Sequence, residues 1–507
     1  MMTVPFNNIP AGNSLRVPLF YAEMDNSQAN IFSQTLKSLL IGQRSTVSGI
    51  TYGSAVSNTP YVVTSQAQAN SLFGNGSMLA RMYMIFRLNN PQGEVWAMAP
   101  SDAGAGVAAT STITITTTLT GPFASTTYVI NLYVAGQRIQ VPYTLNDTVT
   151  SIANYIVAGI NAATDLPVTA TSALGVVTLT AKWKGLTGND IVVQDSFRST
   201  AGSELAPYGL NLVYAAGTAG ATNPTLTTAI SALGDEPYDF IIHPYTDSTS
   251  ILAVTTELSD TVGRWSWSRQ IYGHAYTAVR GTLSALITLG GLYNDQHHTI
   301  AAIDVDCPNP SWEYAAAYGG RNAVYIAADP ARPTQTGQLT GIIPPRVGKR
   351  FLLTDCNSLL GYGIATSTVV AGVLQIQRAI TNYQKNAFGV ADISYLDSET
   401  LHTAAYVLRY LQSAITSKYA RHKLANDGTR FSAGNPVVTP NVIRGELIAA
   451  YDALVALGLV ENRDAFATYL IVERDITSAN RLNILFPPDY VNQLRIFAVL
   501  NQFRLQY

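Results

Sequence analysis

The chain has 507 residues, of which 47% are hydrophobic and only 12% charged, so it can build more than one core while leaving a surface unusually poor in ions. A net charge of −2 without a Lys/Arg cluster disfavours nucleic acid and anionic membranes as partners, and two cysteines, Cys307 and Cys356, are too few for a disulfide framework. So few charges on a free monomer make a poor colloid, so much of the surface is either covered by Thr, Ser, Asn, Gln and Ala or hidden against other subunits.

The N-terminus lacks the basic run and apolar block of a secretory signal. Residues 1–26 carry Pro5, Pro10 and Pro18 followed by the alternation Leu15, Val17, Leu19, Tyr21, which predicts an extended arm ending in a strand. Leu36 to Gln43 reads as a buried strand. Ser65 to Asn89 has helical spacing interrupted at Gly74-Asn75-Gly76, and Glu94 to Met98 reads as a strand, completing one turn of an α/β winding. Ala103 to Gln137 is free of charge and long enough for a membrane span, but its Thr and Ser content and its period of two read as strands.

At Ala103 the composition turns to Thr, Ala, Gly and Val. Over residues 103–217 the expected order is β-β-α-β-β, an inserted α+β unit. Its parts are a strand at Ile113 to Thr117, a hairpin turning at Ala135-Gly136, a helix capped by Asp147, a second hairpin over Val168 to Ala181, and an added strand at Ile191 to Gln194. The first winding resumes with a helix at Leu226 to Leu233, a strand at Tyr238 to His243 and a helix capped by Ser248 and running to Gly263. A helix from Thr282, a strand at Thr299 to Val305 and a helix at Ser311 to Tyr318 follow. This alternation predicts a mainly parallel sheet covered on both faces.

The last third is more helical, with apolar stripes over Leu401 to Tyr419 and Val442 to Leu457, and Ala465 to Val472 follows Gly458. Leu482, Ile484 and Phe486 alternate, and the run from Val491 to Tyr507 predicts a terminal strand in which Leu494, Ile496 and Ala498 oppose Arg495, Phe497 and Val499.

Chemical motifs are scarce. Gly348-Lys349 lacks the upstream glycine of a phosphate loop, and adjacent His297 and His298 point apart on regular structure. Asp304, Asp306 and Cys307 fall at a strand's carboxyl end, where α/β ligands bind, yet read best as a solvated strand end with a partly buried thiol. Ala365-Thr366-Ser367-Thr368 before an apolar helix at Val369 to Ile376 could place Ser367 as a nucleophile. A helix cap is far commoner there, and neither His243 nor His274 has the context of a subtilisin base. The competing functional readings are an α/β hydrolase-like enzyme with an accessory domain, and a secreted surface or S-layer protein, which would need an export signal.

Several segments resemble the sheath proteins of contractile phage tails, specifically the Mu-like family. They are Val4-Pro5-Phe6-Asn7-Asn8-Ile9-Pro10 with Leu15 to Tyr21, Leu39-Leu40-Ile41-Gly42-Gln43, Gly159-Ile160-Asn161-Ala162, Val176 to Lys182, Gly188-Asn189-Asp190 and Gly363 to Arg378. The resemblance implies an α/β core with a mainly parallel sheet of subtilisin-like topology, an inserted α+β domain facing outward, and extended terminal β arms. The expected division is an arm (1–26), a core in two parts (27–102 and 218–480) around the insert (103–217), and a strand arm (481–507). It further implies stacked hexameric rings around a tail tube, contraction by repacking that drives the tube through the host envelope, and contacts with tube, baseplate and tail terminator proteins, following assembly in host cytoplasm. Inter-subunit strand exchange is expected at Leu15, Val17, Leu19, Tyr21, Leu494, Ile496 and Phe497. No catalytic, cofactor-binding or metal-binding residue is carried over.

Overall fold

The computed structural model of the chain describes residues 36–47, 53–118, 126–198, 204–432 and 434–506. The expected arm at 1–26, with Leu15, Val17, Leu19 and Tyr21, lies outside the described residues.

The core opens with β1 (Lys37–Ile41), β2 (Pro60–Val62), α1 (Gln66–Phe73), α2 (Met78–Asn89) and β3 (Glu94–Met98). Leu39 and Ile41 of β1 pack on one face of the sheet and Leu40 on the other, which is why a central strand reads as an unbroken apolar run. Between the two helices Gly74 and Gly76 adopt φ of 90° and 69°, and Ser77 caps the second helix by accepting from the Ala80 N–H.

The chain then leaves the core for β4 (Thr110–Thr117), β5 (Thr127–Val134), β6 (Gln137–Thr144), α3 (Val149–Ala162), β7 (Val168–Ala173), β8 (Val176–Ala181), β9 (Val193–Asp195) and β10 (Leu210–Ala216). These strands form two antiparallel sheets, ordered β10-β4-β8-β7 and β6-β5-β9, around an apolar cluster of their own that includes Ile130, Leu132, Ile152, Ile156 and Leu179. The β5–β6 turn is the expected Ala135-Gly136, both at positive φ. Asp147 is not the cap of α3. Thr148 caps it, while the Asp147 carboxylate accepts from the N–H and hydroxyl of Thr144, bonds that lower its pKa.

Back in the core come α4 (Leu226–Ser231), β11 (Phe240–Ile242), α5 (Ser248–Leu258), β12 (His274–Arg280), α6 (Leu283–Gly290), β13 (His298–Ile303), α7 (Ser311–Ala328), α8 (Leu353–Gly361), β14 (Ile364–Val370) and β15 (Val373–Arg378). Within the described residues the core sheet has the order β15-β14-β13-β12-β11-β1-β3-β2. Its inner strands β14 through β3 run parallel, and β15 and β2 are antiparallel edges, so the sheet is mixed. Helices α1, α2 and α7 cover one face, and α4, α5, α6 and α8 cover the other.

Three expectations fail here. The cap of α5 is Asp247, whose carboxylate accepts from the Ser250 N–H, and the helix stops at Leu258 rather than Gly263. No helix spans Val369 to Ile376: Ala371 (φ 50°) and Gly372 (φ 80°) turn the run into the β14–β15 hairpin, whose β-branched residues suit a strand. The parallel strand β12, which the sequence reading passed over, sits at the middle of the sheet.

The C-terminal unit holds α9 (Ser398–Tyr419), β16 (Lys423–Leu424), β17 (Val437–Val438), α10 (Pro440–Ala456), α11 (Arg463–Tyr469), β18 (Ile471–Arg474) and β19 (Leu482–Leu485). Its core is centred on Tyr451, stacked on Phe466 with ring centroids 3.8 Å apart. The strand expected from Val491 onward is not formed: residues 491–506 contain no strand. No helix among the described residues is long and apolar enough to cross a membrane.

Candidate functional site

In an open α/β sheet the strand order reverses at a switch point, and the crevice above it is the usual ligand site. Here the reversal falls between β1 and β11, and the chain itself fills the space beyond the strand ends. The buried Gln43 amide donates to Asp102 and to the Lys184 carbonyl, and Gln43 Oε1 accepts from Thr187. Trp183 packs edge-to-face on Trp312, with centroids 5.5 Å apart. Asp190 accepts from Arg280 at 2.6 Å and from the Ser311 N–H. Arg280 also donates to the carbonyls of Cys307 and Asn309.

Most of the polar residues singled out by sequence are engaged structurally. Asp304 accepts from the Phe351 N–H, and Asp306 is forked by Arg346. Cys307, expected to be partly buried, is fully buried, and burial pushes its thiol up to about 12, so the nucleophilic thiolate is suppressed. Ser367 lies within β14 rather than at a helix start, and neither histidine named beside it is its partner. His243 Nε2 meets His298 Nε2 at 3.1 Å, and His274 Nε2 meets Thr299 Oγ1 at 2.8 Å. His297 does point away from His298, toward Asp260. Among the described residues no group of three or more His, Cys, Asp or Glu side chains could hold a metal ion.

The inserted unit is riveted to the core by buried charge. Arg81 on α2 pairs with Glu313 on α7 and reaches across to the Gln137 side chain and the Asp165 carbonyl of the insert. Burial pushes the Glu313 carboxyl up, opposed by the Arg81 charge and by the Asn309 amide. Nearby, Lys182 Nζ donates to the carbonyls of Asn75 and Thr164, and burial pushes its pKa down to about 8. This seam was invisible in the sequence, because no local pattern pairs Arg81 with Gln137 and Asp165, 56 and 84 positions away, or Lys182 with Asn75, 107 away.

A cluster of open apolar surface lies at the C-terminal end. Among the described residues β18 and β19 pair only with each other, so each keeps a free edge there, and the facing residues Ile471 and Leu485 are about half exposed at 49% and 57%. Beyond them Leu494 (63%), Ile496 (78%) and Phe497 (81%) are all exposed, as are Val499, Leu500, Phe503 and Leu505. The segment departs from the expected pattern at one residue. Arg495 turns inward to Asp397 and Glu399, with N···O distances of 3.2 and 3.1 Å, whereas Leu494 lies outside between anchored neighbours. Its place in the alternation, opposite Leu494 and Ile496, was the available signal.

Comparison with known proteins identifies the family. The model of the phage tail sheath protein central domain matches residues 219–382, and that of the phage tail sheath C-terminal domain matches residues 390–504. Over 509 residues the chain is 39% identical to the Mu-like prophage FluMu tail sheath protein of Haemophilus influenzae, covering 99% of this chain and 100% of that protein. Solved structures with similarity include a sheath tail protein of Desulfitobacterium hafniense (10% identity, TM-score 0.46, 94% of this chain and 100% of that one). Another is a sheath tail protein of Listeria innocua (13% identity, TM-score 0.47, 92% and 94%).

Proposed function

Since the chain belongs to the phage tail sheath family, a family of structural proteins rather than enzymes, we propose that it polymerises as stacked hexameric rings around a tail tube and contracts by repacking. It is a component of a contractile, phage-like tail. The finer reading is that subunits stay joined by exchanged terminal strands while their cores rotate past one another, shortening and widening the sheath.

One observation carries this reading: a two-stranded sheet with two free edges stands in the same subunit as an apolar C-terminal segment that has no strand partner among the described residues. A strand added to a free edge gains main-chain hydrogen bonds and side-chain pockets without a rigid interface, so such a joint tolerates rotation. Contacts that run head to tail do not close on themselves and so build a helix. Two packings differing by roughly a few kcal/mol per subunit, summed along a tail, would drive the tube through an envelope.

Several details belong to the same reading. The arm at 1–26 and the segment at 481–507 are the joints, with Leu15, Val17, Leu19, Tyr21, Leu494, Ile496 and Phe497 in exchanged strands. The core (27–102 with 218–480) has subtilisin-like topology without protease function, a reading supported by its parallel inner strands and by partners of His243 and His274 other than Ser367. The insert (103–217), with its own apolar cluster, faces outward. Tube, baseplate and tail terminator proteins are the remaining partners, and assembly takes place in the host cytoplasm, in keeping with two buried free thiols.

Negative-stain electron microscopy of the full chain and of variants lacking residues 1–26 or 496–507 tests the proposal. Striated tubes from the full chain, with and without purified tube protein, and none from either truncation are expected. Tubes that persist in both truncations would overturn strand exchange.

A further inference from the structure

Residues 491–496 alternate in burial: Val491, Gln493 and Arg495 are partly covered, while Asn492, Leu494 and Ile496 are exposed. From Phe497 to Gln506 every residue is exposed. The alternation is that of an extended chain lying on its own subunit, and it stops at one place. There Arg495, whose side chain is only 10% exposed, donates to Asp397 and Glu399.

Both carboxylates are held rigidly from behind. Glu399, fully buried, also accepts from the N–H and hydroxyl of Thr334, each at 2.9 Å. Asp397 is forked by Arg378 at 2.8 and 2.9 Å. Gln493, one step before, donates to the Ala331 carbonyl and accepts from Arg495. Charge-assisted bonds into a fixed acceptor pair make a well-defined seat. The seat is also incomplete: Arg495 Nε and Nη1 are buried without a partner among the described residues, so its hold is weaker than a full fork–fork contact.

We propose that Arg495 is the clamp at the root of the C-terminal arm, positioning the point from which residues 496–506 reach toward a second copy of this chain. This inference rests on the strand-exchange reading above. Leu494 then belongs to the strap on its own subunit, and the donated stretch starts at Ile496. If strand-like, that stretch puts Phe497, Val499, Phe503 and Leu505 on one face. Fully extended, residues 496–506 span about 36–40 Å, so a fixed root sets which edge on a neighbour can be reached.

The test places spin labels in the full chain, pairing Ser284→Cys on α6 with either Leu494→Cys or Phe503→Cys, and measures the width of the distance distribution. A narrow distribution at 494 and a broad one at 503 are expected, with Arg495→Met broadening 494 toward the width at 503. Because Arg495→Met strands the Glu399 carboxylate, the double variant Glu399→Gln/Arg495→Met is measured alongside it and broadens 494 equally. A distribution at 494 that is already broad in the unsubstituted background, or that stays narrow in both variants, overturns the clamp.

Polymerisation is scored separately. The concentration needed for tubes rises about tenfold on loss of the clamp, the worth of roughly one charge-assisted hydrogen bond, and Arg495→Lys recovers part of it. Unchanged polymerisation in both Arg495→Met variants overturns the positioning role. Absence of tubes from the unsubstituted chain counts against strand exchange alone and leaves the label distances to decide the clamp.

Discussion

His243 and His298 face each other across the intervening strand β12 with their Nε2 atoms 3.1 Å apart in a fully buried site. Two imidazoles at that distance can share one proton between them, and a second would set two N–H groups head to head. His274 and His402 form a second buried group with Tyr276, whose hydroxyl is 3.0 Å from His402 Nε2. Five of the six histidines in the chain are buried.

Acid should therefore loosen the core. Burial pushes His243 down to about 4 and His402 down to about 3, the latter helped by the Arg409 charge, and holds His274 and His298 well below their ordinary value. Asp247 opposes the shift of His243 without cancelling it. The unfolded chain gains protons near pH 6.5 while the folded chain stays neutral, so this stabilisation is complete above that pH and drains away between about 6.5 and 4. Each such histidine contributes a slope of up to about 1.4 kcal/mol per pH unit. Urea unfolding at pH 7, 6 and 5 should show a falling midpoint, with a shallower fall in His402→Phe. A flat midpoint would refute the neutral core.

Lys182 gives a dependence of the same sense in a higher pH window. Its two acceptors, the carbonyls of Asn75 and Thr164, match the two N–H groups of a neutral amine. With the folded pKa down at about 8 and the unfolded one near 10.5, only the unfolded chain holds the proton between those values, so stability rises with pH across the window. Comparison with Lys182→Met isolates the effect, because tyrosine ionisation is common to both proteins. The stability advantage of the unsubstituted chain should be larger at pH 9.5 than at pH 7.5, and an advantage that shrinks would show that Lys182 is charged in place.

The Arg81–Glu313 pair lies within the core with both side chains nearly inaccessible, and Arg81 carries it to the insert through Gln137 and Asp165. Arg81→Met leaves a buried carboxylate alone and should cost about 3–5 kcal/mol. Adding Glu313→Gln removes the stranded charge and should recover most of that loss. Thermal unfolding of the two singles and the double completes the cycle. A double variant no more stable than Arg81→Met would place the cost in the lost bonds to Gln137 and Asp165 instead.

What could be read beforehand was whatever lies within one turn or one strand. The Leu39-Leu40-Ile41 run, the break at Gly74-Asn75-Gly76 and the Ala135-Gly136 hairpin are local consequences of period and positive φ, and the structure has all three. The errors arose where local rules tie. Asp247 and Ser248 are adjacent cap residues, and only geometry selects between them. Val369 to Ile376 is apolar enough for a helix, and its Ala371-Gly372 turn decided otherwise. At the arm, the alternation puts Arg495 on the back of a strand, because Glu399 and Asp397, which draw it inward, are nearly a hundred residues away. Long-range charge pairing leaves no periodic trace.

The free edges of β18 and β19 yield the sharpest test of assembly. Ile471 and Leu485 are cross-strand partners that remain half exposed, and such apolar pairs on an open sheet normally gain by being covered. Replacing them by Ile471→Lys and Leu485→Glu puts opposite charges across the same rung, which keeps the hairpin paired, and surface substitutions of this kind usually change stability by no more than about 0.5 kcal/mol. An arm arriving from a neighbour would instead meet two ions in place of an apolar seat. The double variant should unfold at the midpoint of the unsubstituted chain yet form no tubes in electron microscopy. Tubes of normal striation at normal protein concentration would mean that the arms of neighbouring subunits bind elsewhere.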